Sequence, residues 1–548
     1  MKRWSFVLAL SLLSATAQAQ ITGTVSGPPP EIPAEACPAL KTLKLPNTKI
    51  TRAEQVAAGA FTRPPSPSGI SAAPNAFKKL PAFCRVSATL TPSPDSDIKI
   101  EVWMPVKDWN SKFHGQGNGG FAGEIDYGHM ADAVAQGYAT GGTDTGHAAS
   151  GIDASWAIGH PEKVADFGYR AIHEMTEKSK AIVAAYYSSS ISHAYFAACS
   201  DGGREALMEA QRFPADYDGI LAGAPANNWT GLLTNAVANL QALLNNPASY
   251  IPASKLPAIA AAVNASCDKL DAVADGVITD PRQCSFDPAT LLCKQSDSDK
   301  CLTAPQVAAL KTLYAGALDS SGKLIFPGYT YGGEDGPGGW APWITGPAPG
   351  KSLMAAFGVG YFANMVYGDP KWDFKTFKVD QGFKAATEKT SRMLDSTDPD
   401  LKPFIDRGGK LILYHGWNDP AISALNTINY YQEVESTTGK DKTESSVRLY
   451  MAPGVQHCGG GPGADSFGQF DWTPGEPPND PQHSLYGALE DWVEKNVAPA
   501  AIVATKFTGE GASRQATMTR QLCPYPQTAK YRGSGDPNDA FSYTCSAK

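Results

Sequence analysis

AYFAACSDGGREALMEAQRFP (residues 194–214) runs from an apolar stretch through a tight small-residue corner into a helical repeat. The apolar run AYFAAC reads as a buried strand, and the helix is expected from about Gly203. Ser200 stands at the corner with Cys199 before it. A sharp strand-to-helix turn lifts a serine hydroxyl to the edge of a sheet. It also turns helix N-terminal N–H groups toward the same point, where a developing oxyanion is stabilised. Only small side chains fit around such a corner; Ala198, Gly202 and Gly203 meet that demand. The match to G-x-S-x-G is partial, because Ala198 holds the first glycine position. Without a catalytic partner, Ser200 would read as a helix N-cap and Cys199 as a core thiol.

The flanking sequence supplies the alternation that this corner needs. IKIEVWMPV (98–106) alternates as a strand, and WNSKFHGQGNGGFAG (109–123) is a strand ending in a glycine-rich loop. ADAVAQGYATGGTDTGH (131–147) reads as helix, strand and loop, and 164–187 has helical spacing. YDGILAGAPANNW (217–229) is strand then loop. The rhythm lapses between 227 and 395 and returns with strands at GKLILYHGWND (409–419) and SVRLYMAPGVQHCGG (446–460) and a helix at 483–497. The class expected is α/β, an α/β-hydrolase core with a large inserted lid. The core is expected over 20–226 and 396–548, with the lid over 227–395. Residues 20–80, rich in proline, are expected to be irregular and wrapped around the core.

In a hydrolase of this order the acid follows the serine and the histidine follows the acid. Asp419 lies just after the strand KLILYHG, and His457 in the loop after SVRLYMAPG. His415 competes as the base, but it sits at the strand end, four residues before Asp419. His457 is favoured by its neighbour. Cys199 precedes the serine and Cys458 follows the histidine, so joining Ser200 and His457 in space brings the two cysteines together. A Cys199–Cys458 bond would hold base against nucleophile.

The remaining cysteines of the ten form simple near-neighbour pairs: Cys37–Cys84, Cys267–Cys284, Cys293–Cys301 and Cys523–Cys545. Sequence alone leaves the connectivity open. Disulfides require an oxidising compartment, and the N-terminus supplies a route there. Lys2 and Arg3, the apolar run Trp4 to Leu13, and Ala17-Gln18-Ala19 read as a secretory signal peptide over 1–19, cleaved after Ala19. The destination expected is the periplasm or the medium. The 548 residues are 42% hydrophobic and 18% charged with net charge −8 and no basic cluster. That argues against nucleic acid as a partner. No stretch is long and apolar enough for a membrane span. A metalloenzyme reading finds no H-E-x-x-H among nine dispersed histidines.

Cys199-Ser200-Asp201-Gly202-Gly203, Asp419 and His457-Cys458 together resemble the CS-D-HC signature of the tannase and feruloyl esterase family. The likeness extends to WMPVKDWNSKFHGQGNGGFAG (103–123), GGTDTGH (141–147) and CDKLDAVADGVITDP (267–281). The resemblance implies a secreted serine esterase acting on small esters of aromatic, hydroxycinnamic-type acids. Tannase and terephthalate-monoester hydrolase activities are the alternatives, with a silent binding protein on the same fold as the non-enzymatic one. It implies Ser200 as nucleophile, His457 as base then acid, and Asp419 as its orienting partner. The oxyanion hole would be the N–H of Asp201 and one from the glycine loop 117–120, with Gly119 expected.

Asp268, Asp271, Asp275 and Asp280 crowd one segment. On composition alone this is a solvated acidic face; the spacing is not that of an EF-hand. The resemblance implies a structural Ca²⁺ here, held by Asp268, Asp271, Asp275 and the carbonyls of Val273 and Val277. The aromatic-rich AAFGVGYFANMVYGDPKWDF (355–374) offers Phe357, Tyr361, Phe362, Tyr367 and Trp372 as candidate walls for a phenolic ring. The lid has two arginines, Arg282 and Arg392, neither in that stretch, which argues against binding a free carboxylate as terephthalate monoesters require.

Overall fold

The structure is a computed structural model that describes residues 33–69, 76–469, 480–509 and 513–547. The signal segment 1–19 lies outside them. Nine strands form one sheet: β1 (Thr48–Val56), β2 (Phe83–Leu90), β3 (Ile98–Pro105), β4 (Lys112–Gln116), β5 (Ala139–Thr143), β6 (His193–Cys199), β7 (Gly219–Gly223), β10 (Lys410–Gly416) and β11 (Val447–Ala452). Their spatial order is β1-β2-β3-β5-β4-β6-β7-β10-β11. From β5 through β11 every pairing is parallel, and β1, β2 and β3 extend the sheet antiparallel. The central strands are buried on both faces, so they read as apolar runs. In a parallel sheet the loops leaving the strand C-termini share one edge, and that is where ligands bind.

The N-terminal stretch departs from expectation. Residues 48–56 are an edge strand, registered against β2 from Thr48↔Leu90 to Val56↔Phe83. Only Ile50 of that strand is buried; Lys49, Arg52 and Glu54 are not. An edge strand guarded by charge carries almost no apolar periodicity, which is why the sequence hid it.

Between β7 and β10 the chain leaves the sheet for a helical layer. Helix Trp229–Leu244 is its axis, packed against Leu353–Gly360 and Val379–Leu394. A small ribbon, β8 (Gly316–Leu318) with β9 (Leu324–Pro327), belongs to it. Its two ends are fastened together: Thr230 donates from N–H and Oγ1 to Asp395 (2.9 and 2.8 Å), and Ser396 N–H donates to Asn227 O (2.8 Å). Past β11, two further ribbons, Ile502–Thr508 with Gln515–Leu522 and Thr528–Tyr531 with Tyr543–Ser546, stand outside the main sheet. All five cysteine pairs form as paired in the sequence reading.

Candidate active site

The corner after β6 is tighter than its sequence suggests. The helix begins at Asp201, not Gly203, so Ser200 alone makes the turn. It does so at φ +68°, ψ −121°, a region costing a non-glycine residue on the order of 1–3 kcal/mol. Its backbone is over-determined: Ser200 N–H donates to Gly223 O (3.0 Å), and Ser200 O accepts from the N–H groups of Arg204 and Ala226. A Cβ on Gly202 would come within 2.5 Å of Ala198 Cβ, and one on Gly203 within 2.3 Å of Gly223 O. The strain is therefore held by contacts that only small residues permit.

The loop after β11 brings His457 to this serine. His457 Nε2 is 2.9 Å from Ser200 Oγ, and His457 Nδ1 is 2.8 Å from Asp419 Oδ2. Asp419, buried in the loop after β10, accepts through Oδ1 from the N–H groups of Ala421 (2.8 Å) and Ile422 (2.9 Å). Burial would push its carboxyl up, but the charge of His457 and the hydrogen bonds of both histidines outweigh that and hold it well below the ordinary carboxylate range. His415 is bonded elsewhere, to Thr427, Ile422 and Asp419. It is wholly buried, with Nε2 3.1 Å from Asp419 Oδ2 and Nδ1 2.8 Å from Thr427 Oγ1. Cys199 and Cys458 are bonded across 259 residues, coupling the serine turn to the histidine loop.

The glycine loop after β4 faces Ser200. Asn118 N–H is occupied, donating to Glu205 Oε2 at 2.8 Å. Gly119 is exposed, a Cβ there would meet nothing within 4 Å, and among the described residues nothing accepts its N–H. Gly120, at φ +62°, has Gly151 O in the way of any side chain. Gly119 and Asp201, the latter at the helix N-terminus, both line the cleft with Ser200.

That cleft has a volume of about 750 Å³. One wall is apolar, from Trp229, Leu232, Leu233, Trp343, Met354 and Phe357. Trp343 meets the His457 ring edge-on (5.0 Å, 73°) and stacks with Phe357 (6.0 Å, 15°). Another part of the lining is polar, with Arg63, Ser68, Glu124, Asp126 and His129. Arg63 is the one Arg or Lys among the described lining residues, and it is paired with Glu124 at 3.1 Å. Burial opposes, but hydrogen bonds from Ser68 and Ser66 and the Arg63 charge hold Glu124 below its ordinary value.

Of the five aromatic side chains expected in the cleft, Phe357 alone lines it. Met354 and Phe357 turn one face of Leu353–Gly360 toward Ser200. From Tyr361 the helix widens through Tyr367, and the following side chains enter the lid instead. Tyr361 is buried on Thr390 (2.6 Å), and Phe362 packs with Tyr367, Trp372 and Phe377. Trp343 was missed; it follows a glycine-rich turn and no spacing marks it. Arg63 was missed because it comes from the N-terminal segment and not from the lid. Arg282 lies between Trp417 and Tyr525, outside the cleft.

In the acidic segment, Asp268 Oδ1 accepts from Gly276 N–H (2.9 Å), Asp271 Oδ1 from Val273 N–H (3.0 Å) and Asp275 Oδ1 from Val277 N–H (3.0 Å). Burial, and the nearby carboxylates, push Asp268 and Asp271 up. Arg520 bonds Asp275 Oδ2 at 2.6 Å.

Comparison with known proteins agrees with the geometry. The family model described as tannase and feruloyl esterase matches residues 84–546. An uncharacterized esterase of Xanthomonas campestris is 40% identical over 93% of this chain and 91% of its own. A probable feruloyl esterase B-2 of Aspergillus terreus is 31% identical over 92% and 93%. The crystal structure of feruloyl esterase B from Aspergillus oryzae superposes with a TM-score of 0.84 at 28% identity, covering 94% of this chain and all of that one. The chain belongs to the tannase and feruloyl esterase family, whose members are carboxylic ester hydrolases.

Proposed function

We propose that this protein hydrolyses esters of aromatic, hydroxycinnamic-type acids by acyl transfer through Ser200. The observation that carries the reading is the unbroken chain Asp419–His457–Ser200, opening into a cleft with an aromatic wall. His457 takes the Ser200 proton as Oγ attacks the ester carbonyl, and Asp419 fixes the tautomer that leaves Nε2 free to do so. The tetrahedral oxyanion is met by the N–H groups of Asp201 and Gly119. His457 then protonates the departing alcohol, and a water, deprotonated by the same ring, releases the acid. The aromatic acyl group lies against Trp343 and Phe357, and the alcohol points to the polar part of the lining. Arg63 is already neutralised by Glu124, which weakens a reading built on a substrate carboxylate.

Hydrolysis of methyl ferulate, methyl gallate and a terephthalate monoester, with Ser200→Ala beside the native protein, tests this. The expected result is turnover of the ferulate ester and a loss of about 10⁴-fold or more in the variant. A folded protein silent on all three would overturn it in favour of a binding protein.

Ca²⁺ is proposed for the acidic segment. The donor set is oxygen only, and three carboxylates share a short loop closed by Cys267–Cys284; an ion there would compete with Arg520 for Asp275 Oδ2. Asp268, Asp271, Asp275 and the Val273 and Val277 carbonyls would hold the ion, which would neutralise that loop and take no part in ester chemistry. Chelation should lower the thermal midpoint, with recovery on adding Ca²⁺, and leave kcat well below the midpoint unchanged. The signal segment and five disulfides support export to the periplasm or medium.

A further inference from the structure

Beneath the serine corner lies a carboxyl group with no part in the triad. Glu205, one turn into helix Asp201–Arg212, is 1% exposed. Its Oε2 accepts the N–H of Asn118 at 2.8 Å, and its Oε1 has no hydrogen-bond partner. Asn118 immediately precedes Gly119. The same residue is held from its side chain, with Nδ2 donating to Glu124 O and Thr143 O, both at 2.9 Å. The contact is built for closeness: a Cβ on Gly117 would sit 2.8 Å from Glu205 Oε2, and one on Gly202 2.8 Å from Asn118 O. Two glycines thus let the glycine loop rest directly on the serine helix, with Glu205 as the polar link between them.

A backbone N–H that donates to Glu205 is turned away from the cleft. The next N–H, that of Gly119, has no acceptor among the described residues and belongs to a residue lining the cleft. We propose that Glu205 is a positioning residue: through Asn118 N–H its carboxyl sets the loop so that Gly119 N–H meets the oxyanion. The inference rests on the ester-hydrolase reading of the same site. The charge state suits the task. Burial, and then the Asp201 carboxylate beside it, push the Glu205 carboxyl well above its ordinary range, while Asp201 itself is paired with Arg204 at 2.7 Å. A neutral acid can orient an N–H without placing an unpaired anion under a site where negative charge develops.

The test compares Glu205→Leu, Glu205→Gln and Glu205→Asp in the full chain on an aromatic ester and its thionoester. Sulfur is a poor acceptor, so a well-set oxyanion hole favours the oxygen ester strongly. Leu and Asp should each lower kcat by about 10- to 100-fold with KM within about twofold, and shrink the ester/thionoester rate ratio. Gln keeps a neutral acceptor and should recover most of what Leu loses. Hydrogen exchange of the peptide holding Asn118 should quicken in Leu and Asp but not in Ser200→Ala, a readout that needs no turnover. The proposal is overturned if exchange and rate ratio stay native while activity falls, or if Gln is as poor as Leu. If no ester is turned over by the native protein, the functional reading fails and exchange alone judges the link.

Discussion

Asp419 is contacted by two histidines, and the division of labour between them is a matter of a few bonds. His457 takes the side facing Ser200, and His415 the buried side, where its Nε2 reaches Asp419 Oδ2 at 3.1 Å and Ile422 O at 3.1 Å. An Nε2–H on His415 stabilises the Asp419 anion. Removing that donor leaves the Asp419 carboxylate held by one bond fewer, so the His457 ring it orients is less firmly fixed. In His415→Leu kcat should therefore fall about tenfold. His415→Gln, which retains an N–H donor, should recover most of that loss; a Leu variant with native kcat would reduce His415 to packing. Sequence could supply both histidines as candidates, because each stands at the end of an apolar strand. It could not separate them, since the choice depends on which loop crosses back over β6. The adjacent cysteines pointed to His457, the ring that lies against Ser200, because a covalent pair is a long-range contact written locally.

Elements were legible where burial is two-sided or periodic. The central strands are continuous apolar runs, and helix 483–497, observed as Leu485–Lys495, shows a clean apolar stripe. The lid was not legible at this level, because aromatic density reports burial and not direction. Phe357 and Phe362 are five residues apart in one aromatic run, yet the widened turn from Tyr361 sends one to the cleft and the other into the lid. This separation has a measurable consequence. Phe357→Ala should raise KM for a ferulate ester several-fold and leave an acetate ester nearly unaffected, because only the aromatic acyl group meets that wall. Phe362→Ala empties a fully buried site and should cost on the order of 3–5 kcal/mol of stability, with KM within twofold of native. Steady-state kinetics on the two esters, alongside denaturant unfolding, separates the roles. If Phe362→Ala raised KM selectively for the ferulate ester, the assignment of the two faces would be wrong.

At the scale of the whole molecule, the insertion between β7 and β10 is held at its root by Asp395, and the β3–β5 edge by Asp144. Asp395 accepts from Thr230, and Asp144 Oδ1 from the N–H groups of Lys99 and Gly146 (2.9 and 2.8 Å). Both are nonetheless pushed up by burial, Asp395 to about 6 and Asp144 to about 7. A carboxyl raised above its unfolded value of about 3.9 binds its proton more tightly when folded. Its contribution is complete below pH ~4 and is lost as pH rises through ~6 to ~7. His147, driven by burial down to about 4, acts in the opposite sense: its contribution is present above ~6.5 and is lost as pH falls. Replacing both acids by Asn removes the first trend and leaves the second. The thermal midpoint at pH 5 minus that at pH 7.5 should then be less positive in Asp144→Asn/Asp395→Asn than in the native chain. Scanning calorimetry at the two pH values reads this directly. Parallel behaviour of the two proteins would mean that neither acid changes its proton on unfolding, and that the root of the insertion is insensitive to pH.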